Sequence, residues 1–214
     1  MPPTPVITAS QSAIRTDRRT ALRERLTDIA AARMAADGLG ALRARDLADE
    51  AGCALGAIYN VFDDLPALVL AVNARTFARL GAQVAAALAK APADPVEQLV
   101  IMAQAYHGFA SANRHLWRAL FDVPRPAGQP APDWYLADMA RLFAYIADPL
   151  SALYPRMPMA DRALLTRALF SSVHGIVLLG LDEASAGVPA AEIDRMIALV
   201  LRQIASAPDQ PSVT

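Results

Sequence analysis

Apolar positions recur along this chain at three- and four-residue spacing, the period of α-helices, and no stretch alternates convincingly as a strand does. Leu22, Leu26, Ile29, Ala30 and Met34 predict an amphipathic helix that stops at Asp37-Gly38. Leu47, Ala48 and Ala51 mark one side of a second, shorter helix ending at Gly52, and Leu55, Ile58, Tyr59 and Phe62 mark a third. A turn this short between the second and third helices forces them to cross steeply. That is a helix-turn-helix, in which one helix lies over a phosphate backbone while the other enters a major groove.

The helical pattern continues to the C-terminal end. Asp63 and Asp64 are N-cap residues for a long helix, about Asp64 to Ala89, carrying Leu65, Leu68, Val69, Val72 and Phe77, with Pro66 in its first turn. Pro92 and Pro95 break the chain before a fifth helix from Val96 to about Ser111. A short sixth follows around Arg114 to Phe121, then a proline-rich loop from Val123 to Pro132. Three more helices are expected from Asp133 to Leu153, Met159 to Asp182 and Pro189 to Ala205, nine in all.

Composition agrees with an all-α chain. Of 214 residues 55% are hydrophobic, many of them alanine, and only 10 are glycine, which favours helix. The length suits a compact head plus a larger body, and the expected division is a flexible arm over 1–16, a head over 17–63, a body over 64–206 and a flexible tail over 207–214. The longest apolar run, Ala168 to Leu181, is too short to span a bilayer, which needs about twenty residues. The N-terminus lacks a signal pattern and Cys53 is the sole cysteine, so the cytoplasm is the expected compartment and no internal disulfide is expected.

A net charge of −1 does not advertise a nucleic-acid partner, but its distribution is uneven. Arg15, Arg18, Arg19, Arg23 and Arg25 face only Asp17 and Glu24 between Ser10 and Arg25, a basic segment suited to phosphate. Ile29-Ala30 and Gly38, Leu47-Ala48, Ala51-Gly52, Gly56, Ile58-Tyr59 and Phe62, with their fixed gaps, resemble the head of the TetR family of bacterial transcriptional regulators. The resemblance implies a TetR-like all-α fold of about nine helices and a double-stranded DNA operator as partner. It implies DNA contacts from Arg18, Arg19, Arg43, Arg45, Ala54, Leu55, Gly56, Ala57, Tyr59 and Asn60. Where the family has a serine or threonine, a histidine and a lysine, this chain has Ala54, Val61 and Leu65, each lacking a donor. Two readings follow: a ligand-responsive repressor, or a dimer of the same fold that has lost DNA binding.

The body carries the remaining expectations. Met102, Tyr106, Phe109, Trp117, Phe121, Trp134, Phe143, Phe170 and His174 gather large apolar side chains with a few polar groups, the composition of a site for an apolar or amphipathic effector. The pair His174-Gly175 matches a histidine-glycine pair in one branch of the family. Leu169, Val173, Ile176 and Val177 on the penultimate helix, with Ile193, Met196, Ile197, Val200, Leu201 and Ile204 on the last, are the expected homodimer interface. No cofactor, metal or catalytic activity is expected. His107, His115 and His174 lack zinc-site spacing, and no glycine-rich phosphate loop occurs.

Overall fold

The computed structural model describes residues 9–122, 132–182 and 188–205. Among them are nine α-helices and no strand: α1 (Ala9–Asp37), α2 (Ala44–Glu50), α3 (Leu55–Ile58), α4 (Leu65–Leu88), α5 (Pro95–Ala112), α6 (Arg114–Ala119), α7 (Asp133–Leu153), α8 (Met159–Gly180) and α9 (Ala190–Ala205), with a 3₁₀ turn at Leu39–Ala41. The all-α expectation therefore stands. Residues 1–8 of the expected arm, positions 123–131 of the expected loop and the tail over 207–214 lie outside the described residues. α1 begins at Ala9, so residues 9–16 are helical rather than part of an arm. Pro2, Pro3 and Pro5 precede this stretch, and no proline or glycine interrupts it.

The helices form two compact units. One holds α1 to α3, α4 as far as Thr76, and α6 from His115. The other holds α4 from Phe77, then α5, α7, α8 and α9. The expected boundary at residue 63 differs from this division for a packing reason. Leu68, Val69 and Val72 of α4 and Leu116 and Ala119 of α6 belong to the same buried cluster as Leu26, Ala30, Met34, Leu47, Ile58 and Phe62. Asn73, fully buried on α4, donates from Nδ2 to the Ala119 carbonyl at 2.8 Å and so binds the end of α6.

Within the first unit, local signals act as the sequence suggests. Gly38 and Gly52 stand at φ +80° and +62°, the left-handed conformation that ends α1 and α2 at little cost only for glycine. Asp64 Oδ1 accepts from the Ala67 amide at 2.7 Å and caps α4. Arg33 of α1 donates from Nε to Glu50 of α2 at 2.8 Å, and Arg75 of α4 pairs with Glu24 and Asp28 of α1.

In the second unit α5 packs against α7, α8 and α9. Asp94 caps it through the amides of Val96 and Glu97 at 2.8 and 2.9 Å, with Pro95 in the first turn. Two polar pairs cross the α5–α9 seam: Arg202 donates twice to Glu97, at 2.9 and 3.0 Å, and His107 Nδ1 lies 2.8 Å from Asp194 Oδ1. The Arg202 guanidinium holds the Glu97 carboxyl below the usual carboxylate range.

Contrary to the reading from Ala168 to Leu181, α8 has 22 residues and is apolar and long enough to cross a membrane by length and composition. Here Leu169, Val173 and Val177 are buried in the unit. At its end Gly180 admits the buried Ile193 of α9 so closely that an added Cβ would stand 2.6 Å from Cδ1 and 2.8 Å from Cγ1. Gly180→Ala is therefore expected to destabilise the chain by about 1–3 kcal/mol, outweighing alanine's helix preference, as measured by urea unfolding. An unchanged or raised midpoint would show that Ile193 yields freely.

Candidate functional site

The outer surface of the helix-turn-helix is built from side chains the core does not use. Ile58 and Phe62 turn inward and are buried, while Leu55, Gly56, Tyr59 and Asn60 are exposed, with Tyr59 50% accessible. Ala54, Arg18, Arg19, Arg43 and Arg45 are exposed as well, and Ala57 is half-buried. The expected third helix is shorter than its apolar stripe. α3 is a single turn, and Asn60 and Val61 then donate to Ala57 and Ile58, three residues back, which tightens the chain before α4. Ala54 supplies no side-chain cap to this helix.

Two basic groups have structural partners. Arg23 donates from Nη1 to the Val61 carbonyl at 2.7 Å, and its guanidinium carbon lies 4.2 Å from the centre of the Phe62 ring. It staples α1 to the end of the helix-turn-helix, which removes it from the basic segment expected to meet phosphate. Arg43 donates to the carbonyls of Gly40 and Leu42 at 2.7 and 3.0 Å. The two positions that lack the family's histidine and lysine turn inward: Val61 is buried and Leu65 is half-buried against the core cluster.

The second unit brings part of the expected effector set together. Tyr106 Oη of α5 lies 2.7 Å from His174 Nδ1 of α8, and Phe170 stacks on the His174 ring at 5.5 Å. Phe143 of α7 meets Phe170 at 5.0 Å between centroids. Met102 and Phe109 are buried on α5, and Trp134 is exposed with its ring against Tyr135. Trp117 and Phe121 fall in the first unit, where their rings meet edge to face at 5.8 Å. Aromatic spacing by itself does not distinguish the two units.

Beside this aromatic group α7 and α8 enclose a groove of about 680 Å³. Leu136, Met139, Ala140, Phe143, Ala144 and Ala147 line it from α7, and Ala163, Thr166, Arg167, Phe170 and Ser171 from α8. Most of these residues escape a search for large aromatics. Their signal is the spacing Leu136, Ala140, Phe143, Ala144 and Ala147, a helical face narrowed by alanine.

Much of the expected dimer stripe is already covered by the chain's own helices. Leu169, Val173, Val177, Ile193, Ile197 and Leu201 are buried within the chain itself, and Ile176, Val200 and Ile204 are half-buried. α9 spends its apolar stripe on its own unit, where α5 and α8 pack on it. Of the ten residues only Met196 is exposed. Exposed large apolar side chains on these two helices are Met159, Leu164, Leu178 and Leu179 on α8, and Leu199 beside Met196 on α9. Gly175 of α8 has nothing within 4 Å of an added Cβ.

The three histidines do not converge. His107 faces Asp194, His174 faces Tyr106, and His115 Nδ1 lies 3.1 Å from the Ala35 carbonyl in the first unit. Among the described residues no group of three metal-ligating side chains occurs.

Residues 99–204 match the family described as tetracyclin repressor-like, C-terminal domain. No curated protein matches the sequence. A protein of unknown function from Rhodococcus sp. RHA1 has the same fold, with a TM-score of 0.70 at 24% identity over 85% of this chain and 94% of its own. RolR in complex with resorcinol aligns with a TM-score of 0.62 at 23% identity, covering 93% of this chain and 100% of its own. The transcriptional regulator FadR from Bacillus subtilis, in complex with stearoyl-CoA, aligns with a TM-score of 0.65 at 13% identity over 83% of this chain and 97% of its own. At these identities the likeness is one of fold.

Proposed function

Since this chain belongs to the TetR family of transcriptional regulators, with a tetracyclin repressor-like C-terminal domain in a TetR-like fold, we propose that it is a ligand-responsive repressor binding a palindromic operator as a homodimer. The observation that carries this reading is the surface of the helix-turn-helix. Tyr59, Asn60, Gly56 and Arg45 are exposed together over a closed apolar core, an arrangement that leaves side chains for phosphates and base edges. Exposed Arg18 and Arg19 supply further charge on α1.

Two-fold symmetry would present two such heads to successive major grooves. The exposed Leu164, Leu178, Leu179, Met196 and Leu199 on α8 and α9 supply the apolar area that a second copy covers. An effector is held in the second unit around Tyr106, Phe143, Phe170 and His174. RolR and FadR, in complex with resorcinol and stearoyl-CoA, support a small-molecule ligand for a chain of this fold. α4 contributes residues to both units, so a ligand that prefers one arrangement of the body shifts the population of head positions.

The testing experiment is titration of the purified protein against duplex from its own upstream region and an unrelated duplex of equal length, across salt. The reading expects selective binding that weakens steeply with salt. Equal, weak binding to every operator-length duplex tried would favour a dimer of this fold without DNA function, as Ala54, Val61 and Leu65 suggest.

Leu65→Lys is expected to raise affinity for all duplexes alike and to steepen the salt dependence by about one phosphate contact. The half-buried position lets a lysine stem lie on the core while its amine reaches outward. A changed order of preferred sequences in a competition assay would contradict this assignment.

A further inference from the structure

The α7–α8 groove combines an apolar interior with a polar rim of one sign. From Leu136 to Ala147 its α7 wall runs about 16 Å along the helix axis. Phe143 and Phe170 meet at 5.0 Å, and Ala144 beside them keeps the channel open. Arg167 is the charged side chain among the lining residues, and Ser171 follows it by one helical turn on the same side of α8. Arg79, Arg141, Arg195 and Arg202 of this unit each find an acceptor on the chain, at Asn113, Asp138, Glu192 and Glu97. Among the described residues no acceptor takes Arg167. Asp138, the acid on the same stretch of α7, is held by Arg141 at 2.9 Å. Thr166 spends its proton on the Arg162 carbonyl at 2.8 Å.

We infer that this groove binds an apolar monocarboxylate, its hydrocarbon body along α7 and its carboxylate on Arg167 and Ser171. The inference rests on the reading of the second unit as an effector domain and names the chemical class that the effector belongs to. A guanidinium accepts a carboxylate through two parallel N–H donors, and a serine hydroxyl adds a third; a neutral ester of the same chain forfeits the charge-assisted part. The volume lies within the usual range for a small-molecule site, roughly 300–1,000 Å³.

Calorimetric titration of the full chain with decanoate and with methyl decanoate tests this. Decanoate is expected to bind at least about tenfold more tightly than the ester, a difference of about 1.4 kcal/mol. Arg167→Gln should lower decanoate affinity by that factor and leave the ester unchanged. Ala144→Trp should abolish binding of both while the melting temperature and helical circular dichroism persist, because Ala144 is exposed on the groove side. Equal binding of acid and ester to the unmodified chain, or decanoate affinity unaffected by Arg167→Gln, would overturn the assignment. So would a groove that takes neither probe and whose Ala144→Trp variant turns a dimer into a monomer, since a second copy then fills it. Operator binding with and without decanoate separates this inference from the reading beneath it. Arg167-dependent decanoate binding that leaves operator affinity unaltered upholds the carboxylate site and sinks the effector role.

Discussion

Leu199→Glu is expected to convert the proposed homodimer to a monomer and to lower affinity for the proposed operator by about a hundredfold or more. Leu199 is 69% exposed on α9, beside Met196 at 42%, while Leu179 on α8 is 66% exposed. In a two-fold interface each substitution occurs twice, so two carboxylates enter one apolar contact and lose hydration without a partner. Losing one of two linked heads removes the avidity of simultaneous half-site binding, which is where a factor of about 10²–10⁴ resides. The monomer's own fold should be nearly indifferent, because an exposed substitution of this kind changes stability by about 0.5 kcal/mol or less. Analytical ultracentrifugation and operator titration on one preparation check both halves. A variant that remains dimeric would place the interface away from α9. The interior members of the expected stripe give a different result: Ile197→Glu would unfold the second unit, because Ile197 is fully buried.

Trp117→Ala should cost about 3–5 kcal/mol, the usual range for removing a buried tryptophan, and lower the melting temperature by more than about 10 °C. Trp117 has no accessible surface and belongs to the unit that carries the helix-turn-helix. Leu116 and Ala119 of the same helix belong to the core cluster with α1 and α4. Stability and DNA binding should therefore fall together. Circular dichroism melting and ligand titration of the surviving folded fraction decide it. A stable variant with selectively weakened ligand binding would return Trp117 to the effector site.

Helix-by-helix, the chain announces itself through local chemistry. Asp133 to Leu153 is helical with the expected ends, and the stops at Gly38 and Gly52 follow from the left-handed backbone those turns adopt. Asp64 and Asp94 cap the helices they precede because a side-chain carboxylate reaches amides only two or three residues away. Such features depend on neighbours within one turn, so periodicity and residue type determine them. The exposed face of the helix-turn-helix is legible for the same reason: Ile58 and Phe62 claim the inner side, and Tyr59 and Asn60 are left outside.

What periodicity determines is that a helix has an apolar side; which partner takes that side is decided by the assembled fold. The stripe of Ile193, Ile197 and Leu201 suits a second subunit or a neighbouring helix equally, and α5 and α8 pack on α9 within the same chain. Trp117 and Phe170 are both aromatic residues on helices, yet one falls in the first unit and the other lines a groove in the second. α6 joins a core formed mainly by residues far earlier in the chain, through Leu116, Ala119 and the bond from Asn73. Arg23 becomes a staple only when Val61 and Phe62 arrive beside it, and the α7–α8 groove exists only because alanines on one helix face phenylalanine on another. The sequence by itself determined the helices, their caps and the exposed face of the helix-turn-helix, because those are short-range events. Tertiary packing alone decided the division into units, the apolar surface left outside and the groove, because burial depends on contacts between segments distant in the chain.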